Sequence, residues 1–423
     1  MESYSFRHFV PKEKEGTYYT VDFTVPQDAA RVTVAYTYAQ PVKGVLRDFL
    51  PTNVIDFGLM DGGGRFLGWS GSAHKSVFIS EFESTHGYLC EPVRAGTWKI
   101  LVGAYHVLPP GVEVTYTVTL EEARERLLFG DLHVHSTASD GKFDAYALGQ
   151  MAKKRGLDFL GLANHNNFAE NLRLPYIPGV TFVPAVEWTH YKGHMNFFGV
   201  AAPFENSFVA NSEAEMRALV DAVRARGAVV SVNHPKCPIC PYLWESDDAF
   251  DMVEIWNGPS RPTNLRGLAY WTGLLKAGRR LPAVGGSDYH RPGPFIRFGN
   301  PVTAVYAPSA RSADILESLR AGRAFVTSGK SGPRLFLSYA GTKMGGEAAH
   351  VPGGLLHIEA AQLRGGRVWL VTDSGEQKLG RPRRGRFAAD VPVEGARFAY
   401  IKVQTGAGGH ALLHAVSNPI YFR

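Results

Sequence analysis

The sequence predicts a β, α/β, β order: a β-sandwich over residues 1–125, an α/β layer or barrel over 126–331 and a second β-sandwich over 332–423. Three observations predict it. Short apolar or alternating runs separated by Gly, Pro and Asp fill the first segment. Strand-like and helix-like patterns then alternate over about two hundred residues. After "SGKSGP" (328–333) strand character returns alone.

In the first segment "YYTVDFTV", "RVTVAYTY", "NVIDFGLM", "SVFIS", "WKILVGAYHVL" and "VEVTYTVTL" are rich in Val, Tyr, Thr and Phe, with turn clusters such as "DGGGR" and "LPPG" between them. β-Branched and aromatic residues fit a pleated, half-buried surface, and six such strands suit a sandwich. In the middle segment, helices are predicted over 144–156, 212–227, 263–278 and 312–322, each with apolar residues at three-and-four spacing and a glycine near its end. In the last segment "RLFLSYAG", "LLHIEAAQL", "RVWLVTD", "RFAYIKVQT" and "NPIYF" read as strands.

Composition narrows the classes. Hydrophobic content of 45% with 20% charged residues describes an ordinary folded chain, and a net charge of +6 over 423 residues is mild. The basic run "RPRRGR" (381–386) has no interleaved aromatics, so it is expected to be a solvated loop, and no nucleic-acid partner is expected. Three cysteines make no disulfide framework, no window approaches a membrane span, and the opening stretch has no apolar leader core. A cytoplasmic protein with no membrane partner is expected.

The chemistry is read from how the middle strands end. "FGDLHVH" ends on His133 and His135, "DFLGLANH" on His165, "VTFVPAVE" on Glu187, "GAVVSVNH" on His234 and "RLPAVGGSDYH" on Asp288 and His290. Side chains at i and i+2 of a strand share a face, so His133 and His135 point together. In parallel α/β barrels the carboxyl ends of strands converge on the site. Asp140 and His194 join by position, which makes nine candidate metal ligands: His133, His135, Asp140, His165, Glu187, His194, His234, Asp288 and His290. Any one alone reads more easily as structural; the set does not. Six imidazoles and three carboxylates suit Zn, Mn or Fe better than Ca or Mg, and nine ligands fit two or three divalent ions with open positions. Three ions bring about +6 against about −3 from the carboxylates, a field that draws an anionic or polarised ester.

Taken in order, "DLHVHSTASDG", "GLDFLGLANHNN", the Glu187–His194 stretch, "VNHPK" and "GGSDYH" resemble the motifs of the PHP (polymerase and histidinol phosphatase) superfamily of metallohydrolases. "MVEIWNG", "ILESLRAGRAFVTSG" and "SNPIYF" look like its CehA/McbA-like branch. The likeness spans residues 130–330 and says little about the first 120. It implies a distorted seven-stranded β/α barrel. It also implies one ion on His133, His135, Glu187 and Asp288, a second on Glu187, His194 and His234, and a third on Asp140, His165 and His290. One departure stands out: the second motif usually reads Asp-His, and here it is Asn164-His165.

The expected reaction is hydrolysis by a metal-bridging hydroxide beside Glu187, with Asp288 or His290 moving protons. Small phosphate esters are the favoured substrates, carboxyl or carbamate esters (as for carbaryl hydrolases of that branch) the alternative, and a non-catalytic binding protein with structural metals the reading of another class. Lys236, Arg291, Arg297 and Arg323 are the candidates for holding substrate charge. "CPIC" (237–240) lacks the second cysteine pair of a zinc motif, so its thiols are read as packing or as walls of the pocket. A homo-oligomer is compatible with the sequence.

Overall fold

A computed structural model describes residues 2–40, 51–81, 83–122, 124–205 and 207–423. They form two compact units, Met1–Arg124 and Glu125–Arg423.

Among the described residues the first unit holds eight strands: β1 (Glu2–Pro11), β2 (Tyr18–Val25), β3 (Arg31–Tyr38), β4 (Val54–Met60), β5 (Phe66–Gly71), β6 (Ser76–Ser80), β7 (Gly96–His106) and β8 (Gly111–Glu121). They make two four-stranded antiparallel sheets, ordered β1-β8-β3-β6 and β2-β7-β4-β5. Alternation decides what is buried: Val32, Val34 and Tyr36 of β3 and Val114, Tyr116 and Val118 of β8 face inward. Tyr36 stacks on Phe57 of the other sheet, with ring centroids 5.1 Å apart. Side chains of both sheets share one core. The "DGGGR" turn closes on Asp61, whose Oδ1 accepts from the N–H groups of Gly63 (2.8 Å) and Arg65 (2.9 Å).

The second unit begins with β9 (Arg126–Val134), α1 (Ala145–Arg155), β10 (Phe159–His165), β11 (Thr181–His190), β12 (Gly193–Phe198), α2 (Glu213–Ala225), β13 (Val229–Val232), β14 (Met252–Asn257), α3 (Pro262–Lys276), β15 (Ala283–Gly286), β16 (Val302–Ala307), α4 (Ser312–Arg320) and β17 (Ala324–Thr327). Three of these helices fall within the predicted ranges, and α3 starts one residue before its own, at Pro262. Asp144 caps α1 by accepting from Ala147 N–H at 2.8 Å, and Gly156 ends it in a left-handed conformation (φ 68°) that a side chain would resist.

The strand arrangement is less regular than an alternating β/α barrel. Strands β9, β10 and β11 pair in parallel, β12 runs antiparallel between β11 and β13, and β13, β14 and β15 are again parallel. No α-helix links β10 to β11 or β13 to β14. The arc curls until β15 returns to β9, where Tyr289 N–H donates to His133 O (3.3 Å) and His135 N–H donates to Tyr289 O (3.0 Å). Gly286 permits this approach, because a Cβ there would lie 2.4 Å from His133 Cβ. The sheet also runs on the other way, from β9 to the antiparallel β16 and then β17. The strands form a curled half-barrel inside a longer sheet.

The remaining elements are β18 (Arg334–Tyr339), β19 (Thr342–Lys343), β20 (Glu347–Ala348), β21 (Leu355–Ala361), β22 (Arg367–Thr372), β23 (Glu376–Gly380), β24 (Arg386–Pro392), β25 (Phe398–Thr405), β26 (Leu412–Ser417) and β27 (Ile420–Phe422). Strands β19-β18-β21-β24 form a separate antiparallel sheet, whereas β26-β25-β22-β23 continue the central sheet from β17. One layer of the C-terminal strands is thus shared with the half-barrel, and Leu335, Leu337, Ile358, Val368 and Ile401 belong to the same core as Phe129 and Phe325. Arg381, Arg383, Arg384 and Arg386 are exposed around the β23–β24 turn. No helix among the described residues is long and apolar enough to cross a membrane.

Candidate metal centre

The nine candidate ligands meet at one rim. His133 lies near the end of β9, with His135 just beyond it, and His165 ends β10 beside Glu187 of β11 in the parallel register. His194 starts the antiparallel β12, which brings it to the same rim, opposite Thr189. His234, Asp288 and His290 follow β13 and β15. Two of these, His234 (φ 29°) and Asp288 (φ 49°), hold left-handed backbone that non-glycine residues rarely adopt. Such strain persists where the surroundings over-determine it, here by aiming both side chains back over the strand ends.

Glu187 is the hub. Its Oε1 lies 3.3 Å from His133 Nε2, 3.1 Å from His194 Nδ1 and 3.4 Å from His234 Nε2, and its Oε2 lies 3.5 Å from His135 Nε2 and 3.0 Å from His165 Nδ1. One buried carboxylate touches five imidazoles. Asp288 Oδ1 adds contacts to His133 Nε2 (3.4 Å) and His135 Nε2 (3.1 Å). On the outer side Asp140 Oδ1 approaches His290 Nε2 (3.3 Å), His165 Nε2 (3.7 Å) and His135 Nδ1 (3.9 Å). Donor atoms within 4.8 Å of one another form four overlapping groups: His135, Asp140, His165 and His290; His133, His135 and Glu187; His133, His234 and Asp288; His194, His234 and Cys240.

A cation fits this donor set. Among the described residues His133 Nε2, both ring nitrogens of His135, Glu187 Oε2 and Asp288 Oδ1 are buried without a hydrogen-bond partner. Buried polar atoms left unmatched cost about 1–3 kcal/mol each, and these five converge. The charges say the same. Burial pulls His133 toward neutrality, yet Glu254, Glu187 and Asp288 outweigh it and hold the imidazole well above the ordinary histidine range. Burial would raise Glu187, yet His133 and its other histidine partners hold it well below the carboxylate range. For His135 burial wins and the ring is kept neutral, as a ligand requires. Divalent ions would replace the borrowed protons as counter-charge.

Several supporting residues escaped the sequence reading. Glu254, in the apolar-looking β14, places Oε1 2.9 Å from His133 Nδ1, while its Oε2 accepts from His234 N–H at 3.0 Å. Buried Asp131 accepts from Ser287 N–H (2.8 Å), Ser287 Oγ–H (2.5 Å) and Gly299 N–H (2.9 Å), which ties β9 to the loop carrying Asp288. Burial pushes its carboxyl up to about 6. Asn233 donates to Glu187 Oε1 at 2.8 Å. Asn164 does not orient His165. Its Oδ1 accepts from Ser136 N–H (2.8 Å) and Ser139 Oγ–H (3.1 Å), and its amide donates to Glu170 (3.1 Å). An aspartate there would set two carboxylates against each other, so the amide suits this loop. His165 is instead met at Nδ1 by Thr189 Oγ1, 2.6 Å away.

The expected substrate cations fare differently. Lys236 is exposed and lies over the Tyr270 ring, 4.3 Å from its centroid. Arg291 and Arg297 are exposed in the loop after His290. Arg323 belongs at the other end of the sheet. Its carbonyl accepts from Tyr306 N–H, and Tyr306 pairs with Leu127, six residues and about 20 Å of strand before His133. Its guanidinium donates to Ser318 Oγ. Because β17 runs in the same direction as β9, a residue preceding it cannot reach the ligand rim.

Glu254→Gln is expected to keep the fold and weaken metal binding by about 10- to 100-fold, the usual cost of losing a partner behind a ligating histidine. Competition with a chromogenic chelator measures it.

No protein-family model and no curated protein sequence matches the chain. Among solved structures it is similar to a two-domain protein containing a predicted PHP-like metal-dependent phosphoesterase from Bacteroides vulgatus, at 16% identity over 69% of this chain and 95% of that one, with a TM-score of 0.41. It is also similar to a lesion-specific endonuclease from Pyrococcus furiosus, at 16% identity over 47% and 56% of the two chains and a TM-score of 0.35. An amidohydrolase from Chromobacterium violaceum matches at 15% identity over 40% and 89%, with a TM-score of 0.27.

Proposed function

We propose that the chain is a metal-dependent hydrolase of the PHP type acting on small ester substrates, phosphate esters first. One observation carries the reading: a single buried carboxylate, Glu187, gathers five imidazoles, while among the described residues its own Oε2 and four buried atoms around it have no hydrogen-bond partner. His133, His135, Glu187 and Asp288 would hold one ion, Glu187, His194 and His234 a second, and Asp140, His165 and His290 a third. Divalent ions there acidify water toward a pKa of about 7 and polarise an ester oxygen. The chain supplies the rest. Glu187 fixes the spacing of the inner histidines, and Glu254 locks the His133 ring. His290 holds Nδ1 3.0 Å from the Asp288 carbonyl, which fixes its ring with Nε2 toward Asp140 and the third position.

A specific observation favours the second reading, carboxyl or carbamate esters. A cavity of about 570 Å³ opens beside His194 and is lined by Trp188, Tyr191, Phe208, Val209 and Ile239. No lysine or arginine is among its described lining residues. The volume is that of a small-molecule site, and its walls suit the apolar part of an ester better than a second charge.

The test is elemental analysis followed by chelation and re-addition of Zn, Mn or Fe, assayed with p-nitrophenyl phosphate, p-nitrophenyl acetate and an aryl carbamate. Turnover is expected to vanish on stripping and return with metal. Full activity in the stripped protein overturns the proposal. A lower Tm on stripping with no ester turned over at any stage assigns the ions to structure alone.

A further inference from the structure

We propose that Cys240 is a metal ligand of this centre, forming with His194 and His234 a sulfur-containing position for a soft divalent cation, zinc in preference to manganese. The inference rests on reading the cluster as a metal centre; it adds a donor that the motif pattern does not contain and revises the second position, where His234 would bind the ion through Nδ1 beside Cys240 while its Nε2 stays toward Glu187.

The geometry starts from Glu187. Its Oε1 takes one nitrogen from each imidazole, His194 Nδ1 at 3.1 Å and His234 Nε2 at 3.4 Å. A ligating histidine is commonly steered in this way by a carboxylate on its other nitrogen. On the far side of its ring, His234 Nδ1 lies 3.5 Å from Cys240 Sγ. With Zn–S of about 2.3 Å and Zn–N of about 2.05 Å, the sulfur–nitrogen edge of a tetrahedron is about 3.5 Å. One donor atom from each of His194, His234 and Cys240 lies within 4.8 Å of the others.

The local chain is folded to make this meeting. His234 turns the backbone with its positive φ, Cys237 N–H donates back to His234 O at 2.8 Å, and Tyr242 N–H donates to Pro235 O at 3.0 Å. The loop therefore doubles back and returns Cys240 to the histidine six residues before it. His194 and Cys240 both line the apolar cavity, so an ion held between them would have an open position facing it. Two protein-held histidines and one thiolate with a free fourth position are the donor pattern of a catalytic rather than a closed zinc site. Thiolate is a soft donor, which selects zinc over manganese. The "CPIC" stretch lacks a second cysteine pair in sequence, and the two histidines supply its place in space. Cys237 Sγ lies 3.2 Å from Cys240 Sγ but belongs to none of the donor groups, which makes it the natural control.

The experiment strips the full-length protein, loads it with cobalt(II) and records absorption for wild type, Cys240→Ser and Cys237→Ser. The expected result is a near-ultraviolet thiolate-to-cobalt charge-transfer band, lost in Cys240→Ser and kept in Cys237→Ser. Visible cobalt bands without the charge-transfer band overturn the role of Cys240 and leave the centre standing. A band lost in Cys237→Ser but kept in Cys240→Ser also overturns it. Failure of wild type to retain cobalt removes centre and inference together. A second measurement needs no variant: alkylation of wild-type thiols, mapped by mass spectrometry with and without zinc. Zinc is expected to slow Cys240 relative to Cys90, which lies in the other unit. Equal rates with and without zinc overturn the proposal.

Discussion

Glu187→Gln is expected to abolish turnover and empty most of the centre. The substitution keeps the shape of the side chain and removes its charge, from a buried position that touches His133, His135, His165, His194 and His234. Removing one partner from a buried charge network costs about 3–5 kcal/mol, which is roughly 10²- to 10⁴-fold in ion affinity. The amide also sets an N–H against imidazole nitrogens that need an acceptor or an ion. Metal content after dialysis and activity at saturating metal both check this. Wild-type stoichiometry in the variant would mean that Glu187 does not bridge the ions.

The rim was legible in the sequence because two periodicities expose it. Strand alternation puts His133 and His135 on one face, and the carboxyl ends of parallel strands gather His165, Glu187 and His234 without any knowledge of contacts. Arg323 lies outside that rule, since it precedes β17, which runs with β9, and so sits at the end of the sheet away from the carboxyl ends. Glu254 was hidden by its setting, one acid inside the run "MVEIWN" of a strand buried on both faces. Asp131 and Asn233 sit one or two residues from named ligands and act through backbone N–H groups and a carboxylate, which leave no spacing rule. The stretch "CPIC" offers no second cysteine pair along the chain, and only the fold brings Cys240 beside His194 and His234. The shared C-terminal sheet was equally unreadable, as β26 and β25 have the same alternating pattern whether they pair with β17 or among themselves.

Gly286→Ala is expected to damage fold and site together, because it acts where the two are the same contact. A Cβ at 286 would lie 2.4 Å from His133 Cβ and 2.8 Å from His133 N, and backbone cannot swing aside as a flexible side chain does. The strand would have to shift, carrying Asp288 away from His133 and His135 and loosening the hydrogen bonds of Tyr289 to β9. Overpacking of this kind costs about 1–3 kcal/mol and sometimes more. The upper end is expected here, lowering the Tm of the metal-stripped protein by roughly 5 °C. Gly273→Ala is the matched control: it lies exposed in α3 with no atom beyond its own helix backbone within 4 Å of its would-be Cβ, so the same chemical change should stabilise by about 0.5–1 kcal/mol. Melts of both stripped variants, with metal content measured after reloading, separate the two outcomes. A Gly286→Ala protein that melts like wild type and binds a full complement of metal would show that the β15–β9 approach does not hold the centre together.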